Sequence, residues 1–320
     1  RSRSSMEKAA KPGSGVVAAV ARDKVFMTVV VGAVAIFAFL VLGLLIELIH
    51  GSWESLRTFG FSFLWTSQWN PVTNQFGALP MIYGTLVSSG IAILLAGLVG
   101  IFAAVYLAEF APGPIAGPLS FMIELLAAVP SVVYGLWGLF VLAPLVRVAL
   151  GPFIQAHLGF LPIFSGPIYG VGLLTAGLIL SLMIVPTVTA ISRDVIAAVS
   201  REQREASMSL GATRWETMWR VVLPAARSGI FGACVLALGR ALGETIAATM
   251  VIGNRPEIVA SLFAPSYTLA SVIANEFTEA TSSLYTSALI ELGLLLFAVS
   301  FIVNGLARLL LWSSLRAGRG

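Results

Sequence analysis

Six stretches of this chain are long and apolar enough to cross a lipid bilayer, and nothing else limits its fold as strongly. They fall at roughly 25–49, 79–108, 119–146, 168–191, 229–253 and 284–312. A helix needs about 20 apolar residues to span the hydrocarbon layer. The composition agrees: 58% of the 320 residues are hydrophobic and 11% charged, against about 25% charged in soluble domains. The expected fold class is all-α, a polytopic membrane protein of six transmembrane helices.

The first run is longer than the 7 to 15 residues of a signal-peptide core, and no small-residue cleavage site follows it, so it is expected to stay as an anchor. The chain opens Arg1-Ser2-Arg3, with Met6 its first methionine, which marks residues 1–5 as a possible scar or trimmed terminus. Lysine and arginine set the orientation. Six precede Val25, six lie between the fourth and fifth runs (Arg193, Arg201, Arg204, Arg214, Arg220, Arg227), and three close the chain (Arg308, Arg316, Arg319). The opposite loops hold Arg57, Arg147 and Arg255. Both termini and the 192–227 loop are therefore expected in the cytoplasm. The layout is a tail at 1–24, a single transmembrane domain at 25–312 and a tail at 313–320. The net charge of +4 follows from this topology and not from a nucleic-acid-binding face.

Cys234 is the single cysteine and reads as a packing residue. His50 and His157 have no ligand spacing around them, so no metal or other cofactor is expected. No GxxxxGK[ST] loop is possible, because the last lysine is Lys24. The chain reads as a non-enzyme, and any ATP that powers it must be hydrolysed by another subunit.

The polar stretch 200–229, SREQREASMSLGATRWETMWRVVLPAARSG, is built like a corner. Ser200 with Gln203 and Thr213 with Glu216 have capping-box spacing, which predicts helices over 201–210 and 214–223. Gly211 and Ala212 stand at the bend, glycine suiting a left-handed helix end, and Pro224 is expected to stop the second helix. Trp215, Met218, Trp219 and Val222 share one face, the pattern of a helix lying at the membrane interface.

GRALGETIAATMVIGN, 239–254, sets Arg240 and Glu244 one helical turn apart inside the fifth run. Counted from Gly229 at 1.5 Å per residue, Arg240 would lie about 16 Å into a core about 30 Å thick. A charge there costs about 2.5 to 3.5 kcal/mol on insertion scales. Arg240, Glu244, Ala247 and Val251 would share one face, edged by Gly232, Gly239 and Gly243. A structural ion pair is one reading. The other is that Arg240 presents a fork of donors to an oxyanion while Glu244 tunes it. Ser131, Tyr134, Thr245 and Asn254 are weaker candidates for hydrogen-bonding an anion, since each can equally satisfy a neighbouring helix. Pro130 and Pro186 are expected to kink or interrupt their spans. Glu47, Glu109 and Glu124 receive no role, and Glu291 no explanation. Residues 254–283 are too apolar for an idle loop. A short helix near 268–277 is expected to pack on the bundle or to form a landing surface outside the cell.

The string EASMSLGATRWETMWRVVLP resembles the EAA loop of binding-protein-dependent ABC importer permeases. Glu205, Ala206, Gly211, Leu223 and Pro224 match, with Ser207 for the second alanine and Val221 for isoleucine. That resemblance implies a type I importer-permease fold whose residues 200–224 form a cytoplasmic coupling helix-turn-helix docked on an ATPase. FGALPMIYGTLVSSGIAILLA (76–96), VYLAEFAPGP (105–114), VPSVVYGLWGLFVLAP (129–144) and GRALGETIAATMVIGN together resemble the PstC-type permease subunits of phosphate-specific ABC importers.

What the resemblance implies is inward transport of phosphate by alternating access across the plasma membrane of a prokaryote. It assigns Arg240 and Glu244 to the transport path. It also implies a heterodimer with a PstA-type permease, an ATPase subunit dimer and an extracytoplasmic phosphate-binding protein. Another oxyanion, sulfate or molybdate, is the alternative cargo. An ion-gradient-driven secondary transporter is a rival that should lack the coupling corner.

Overall fold

A computed structural model describes the backbone of residues 14–317 and the side chains of residues 26–312. The expectations for residues 1–13 and 318–320, including most of the basic N-terminal tail, lie outside the described residues. Eleven helices and no extended strands are present among the described residues: α1 (Ser14–Gly51), α2 (Trp53–Phe59), α3 (Leu79–Phe110), α4 (Gly113–Ala128), α5 (Ser131–Leu158), α6 (Leu173–Ala197), α7 (Arg201–Ser209), α8 (Arg214–Leu242), α9 (Ile246–Val251), α10 (Leu269–Glu276) and α11 (Ser283–Ala317). Six are long and apolar enough to cross a membrane: α3, α5, α6, α8, the Phe26–Gly51 part of α1 and the Ser283–Trp312 part of α11.

The chain separates into two compact units at residues 50 and 51. The first contains α1 up to His50, whose stretch 29–46 is apolar around its whole circumference, as suits a helix without a water-facing side.

In the second unit, α3 and α6 form the spine. Glycines let them approach closely: a Cβ on Gly177 would lie 2.6 Å from Ile91, and one on Gly100 would lie 2.9 Å from Val188. The 252–268 segment folds back onto the same end of the bundle. Its Leu262 and Ala264 carbonyls accept from the Leu174 and Leu173 N–H groups at 2.8 and 3.2 Å, so it satisfies orphan donors at the start of α6. Thr268 caps α10, whose Leu269 and Val272 are fully buried while Phe277 just beyond it is exposed. Glu276 accepts from Trp69 at 2.7 Å and from the Tyr285 hydroxyl at 2.6 Å. Burial pushes the Tyr267 phenol up to about 12, and its oxygen accepts from Asn275 at 3.0 Å. The 254–283 segment thus packs on its own bundle.

Proline placement accounts for most departures from the expected spans. The third run does not form one helix over 119–146. It breaks at Val129 and Pro130, where both residues are extended (ψ 129° and 141°), because a proline disfavours helical geometry in the residue before it. Elsewhere a π-turn precedes the proline: at Pro112 the helix then ends, as α3 does at Phe110, whereas at Pro144, Pro152 and Pro224 it continues. π-turns at Tyr106–Phe110, Gly138–Leu142, Val146–Leu150 and Met218–Val222 each end two residues before a proline: Pro112, Pro144, Pro152 and Pro224. A helical proline clashes with the carbonyl four residues back, and a π-turn moves that carbonyl aside. Pro224 therefore does not stop the corner's second helix, which runs on as α8. Pro186 sits inside unbroken α6. The fifth span begins at Arg214, not Gly229, and ends at Leu242, not Gly253.

Candidate functional site

The single face expected to carry Arg240, Glu244, Ala247 and Val251 does not exist. Helix α8 ends at Leu242, and the chain resumes as α9 at Ile246. Gly243 and Thr245 carry the break: glycine is a weak helix former, and the N–H groups of Gly243 and Glu244 reach their acceptors only at 3.4 Å. The depth counted from Gly229 lapses with the earlier helix start. Arg240 lies in the last turn of α8, where the carbonyl ends favour a cation. Glu244 sits at the start of α9, and its Oε1 accepts from the Ala247 N–H at 3.2 Å, so it caps that helix.

The two charges do not neutralise each other. Among the described residues no carboxylate lies within 4.0 Å of the Arg240 guanidinium, which is exposed on the isolated chain.

The break in α8 is met by the break before α5. Gly135 lets α9 approach so closely that an added Cβ would lie 2.5 Å from Met250 Sδ and 3.2 Å from Ala247 Cα. Ser131 is the first residue of α5 and half-buried. Tyr134, one turn on, donates to the Leu126 carbonyl across the break at 2.8 Å. Its ring packs against the buried cluster that includes Ala237 and Ala241 of α8. Thr245 donates to the Gly243 carbonyl at 3.3 Å. Five of the six candidates thus lie at the two helix interruptions: Arg240, Glu244 and Thr245 at the end of α8, Ser131 and Tyr134 in the first turn of α5. Asn254 stands apart, beyond α9, left-handed at φ 52° and donating to the Thr249 carbonyl at 2.9 Å. Of the expected glycine edge, only Gly239 faces a neighbour, Asn304.

A cavity of about 300 Å³ opens between the 162–169 and 255–265 loops, with Arg255 and Glu257 paired at 3.1 Å on its wall. It contains neither Arg240 nor Glu244.

The corner at 200–224 keeps one of its two expected caps. Thr213 accepts from the Glu216 N–H at 3.2 Å, and Glu216 accepts from the Thr213 N–H at 2.9 Å. Ser200 makes no such bond. Gly211 is left-handed at φ 89°. Glu205 and Ala206 are exposed on α7, Pro224 is exposed on α8, and Ala212 and Leu223 are half-buried. The expected interfacial stripe divides: Met218 and Val222 are core, while Trp215 and Trp219 are exposed and stack edge to face at 5.5 Å. At the bend, Met208 and Leu210 project outward, Leu210 with 90% of its surface exposed.

Two of the residues given no role in the sequence are ion-paired here. Glu109 pairs with Arg204 at 2.7 Å, and Glu124 with Arg193 at 3.3 Å. Glu291 is buried, and its Oε2 has no hydrogen-bond partner among the described residues.

The chain is similar to known proteins along most of its length. Residues 96–311 match the model of the family described as "Binding-protein-dependent transport system inner membrane component". The chain belongs to this family. Its relatives include the "Phosphate transport system permease protein PstC" of Mesorhizobium japonicum, 48% identical over 293 residues, 90% of each chain. The "Probable phosphate transport system permease protein PstC" of Methanocaldococcus jannaschii is 37% identical over 243 residues, 75% of this chain and 77% of that one. Among solved structures, a bacterial ABC transporter involved in the import of the acidic polysaccharide alginate aligns with a TM-score of 0.55 at 14% identity, covering 92% of this chain and 99% of that one. At that identity the family likeness concerns the fold: the all-helical ABC-importer permease arrangement.

Proposed function

We propose that this chain is the membrane-spanning permease subunit of an ABC importer that moves inorganic phosphate into the cell by alternating access. The observation that carries the reading is Arg240: a guanidinium without a carboxylate partner among the described residues, held at a helix interruption that faces a second one. Discontinuous spans are where transporters commonly place their substrates, because freed backbone groups and charges there face a cavity. A planar, always-charged fork matches an oxyanion in geometry and sign. Phosphate as the cargo is supported by the relatives, nine-tenths of whose length is shared at nearly half identity.

In this reading Arg240 attracts the anion, Glu244 fixes the local backbone by capping α9, and Tyr134, Thr245 and Ser131 offer hydroxyls nearby. Binding needs to be firm enough to admit the anion and weak enough to release it. Residues 200–224 dock on an ATPase dimer: the exposed Met208 and Leu210 at a polar corner suit insertion into a partner's groove. A PstA-type permease completes the membrane dimer, an extracytoplasmic phosphate-binding protein delivers the anion, and both chain termini face the cytoplasm.

The test is uptake of labelled phosphate into vesicles holding the assembled complex and ATP, with sulfate and molybdate as competitors. Uptake should require ATP and the binding protein and yield only to unlabelled phosphate. Competition by sulfate or molybdate would reassign the cargo, and uptake that follows an ion gradient without ATP would overturn the reading.

A further inference from the structure

Arg204 lies in the middle of α7, yet its guanidinium bonds to groups outside that helix. Nε and Nη2 donate to Glu109 Oε1 at 3.0 and 2.7 Å. Nη2 also donates to the Ile196 carbonyl at 2.7 Å, and Nη1 donates to the Val199 carbonyl. Ile196 is in the last turn of α6, and Glu109 is in the last turn of α3. One side chain therefore fastens α7 to the cytoplasmic ends of both spine helices.

The burial of this link separates it from the other ion pairs. The Arg204 and Glu109 side chains retain 17% and 20% of their exposure, whereas the partners of Arg193 retain 56% and 67%. Exposed pairs contribute little and exchange readily with water. A sheltered, two-pronged arginine–carboxylate contact fixes distance and direction together. Helix α7 needs such a fastening, since it has no buried residue of its own. Its other polar tie is the Ser207–Thr217 hydroxyl pair at 3.0 Å, which leads to α8.

We infer that the Arg204–Glu109 pair is a strut that delivers displacement of the corner to the α3–α6 spine. The inference rests on the proposed docking of residues 200–224 on an ATPase. Without the strut, a push on α7 would still reach α6 through the turn at 198–200 and the Ile196 carbonyl, and α8 through Ser207–Thr217, but among the described residues it would have no polar tie to α3. With it, the push reaches the end of α3, and α3 is locked to α6 through Gly100 and Gly177. Arg204 and Glu109 are positioning residues: neither touches the transported anion.

The experiment uses the complete importer in proteoliposomes and measures phosphate moved per ATP hydrolysed. Glu109→Gln removes the charge while leaving Arg204 its two carbonyl acceptors. The complex should still assemble with its ATPase, and transport per ATP should fall about tenfold, an effect that a local anchoring role would not produce. An unchanged ratio overturns the strut. Should Glu109→Gln fail to assemble, a Glu109→Cys/Arg204→Cys pair in a Cys234→Ser background decides, bridged by a short bifunctional thiol reagent. Bridging that restores assembly and ratio supports the strut; bridging that restores assembly alone overturns it. A Glu205→Lys control keeps the parent reading separate: if that variant still binds the ATPase and transports, the docking assignment fails, whatever Glu109 does.

Discussion

Arg240 and Glu244 stand on opposite sides of a helix break, Arg240 in the last turn of α8 and Glu244 capping the first turn of α9 through the Ala247 N–H at 3.2 Å. This arrangement changes what each charge does. On one continuous helix the carboxylate would sit one turn from the guanidinium and offset it. Across the break each meets the helix end of opposite sign. The arginine is then stabilised by a carbonyl terminus and keeps its donor fork for a ligand.

Replacing Arg240 by glutamine should abolish phosphate uptake while the complex still assembles. A neutral amide offers neither the charge nor the fork, and nothing within ion-pair distance of Arg240 among the described residues needs its charge for packing. Uptake by the purified complex checks this, with co-purification of the partner subunits as the control. Wild-type uptake would remove Arg240 from the path. Arg240→Lys should retain the charge but bind less specifically, giving a higher KM for phosphate.

Glu244 is distinguished by comparing two variants. If it acts as a cap, Glu244→Gln keeps an acceptor for the Ala247 N–H and should retain more uptake than Glu244→Ala. Losing a helix cap costs about 0.5 to 2 kcal/mol, so the alanine variant should also unfold at lower temperature. Equal loss of uptake in both, with unchanged thermal unfolding, would assign the role to charge alone.

What was legible in the sequence was whatever a local window fixes. Six apolar runs are a property of composition, and the cap at Thr213 needs only Glu216 three residues on. Breaks were harder to read, because the same residue type ends a helix at Pro130, widens it at Pro144, Pro152 and Pro224, and sits within one at Pro186. Which outcome occurs depends on whether neighbouring helices leave room for a π-turn, and spacing does not record that. Gly243 misled for the same reason: its place in an apolar run concealed the end of α8. The Glu109–Arg204 contact joins residues 95 positions apart, so no periodicity could announce it. Seen alone, each is an ordinary charge at a span end.

The close approach of α3 to the 254–283 segment gives a stability test. A Cβ on Gly84 would fall 2.0 Å from the Tyr267 carbonyl oxygen, and that atom is backbone, held by a segment that also caps α6. Gly84→Ala should lower the yield of folded protein or its unfolding temperature, since forced overpacking costs about 1 to 3 kcal/mol or more. Gly232→Ala is the matched control, with nothing within 4 Å of the added methyl. It should instead be neutral or gain slightly, alanine being the better helix former. Equal stability of the two variants would mean that the 254–283 segment does not press on α3 in solution.

Leu210 tests the corner as a docking surface. It leaves 90% of its surface exposed at the bend, where the chain gains nothing from it in isolation. Leu210→Asp should therefore leave unfolding of the isolated subunit unchanged, because no packing is lost. If the bend enters a groove on the ATPase, the same change places a charge in an apolar contact. Burying an unpaired charge is costly enough that co-purification of the ATPase and ATP-dependent uptake should fall together. Leu210→Met, similar in volume and apolar character, should preserve both. An Asp variant that still binds the ATPase and transports would mean that the exposed leucine lies outside the contact. The docking surface would then have to be sought on the polar face that carries Glu205.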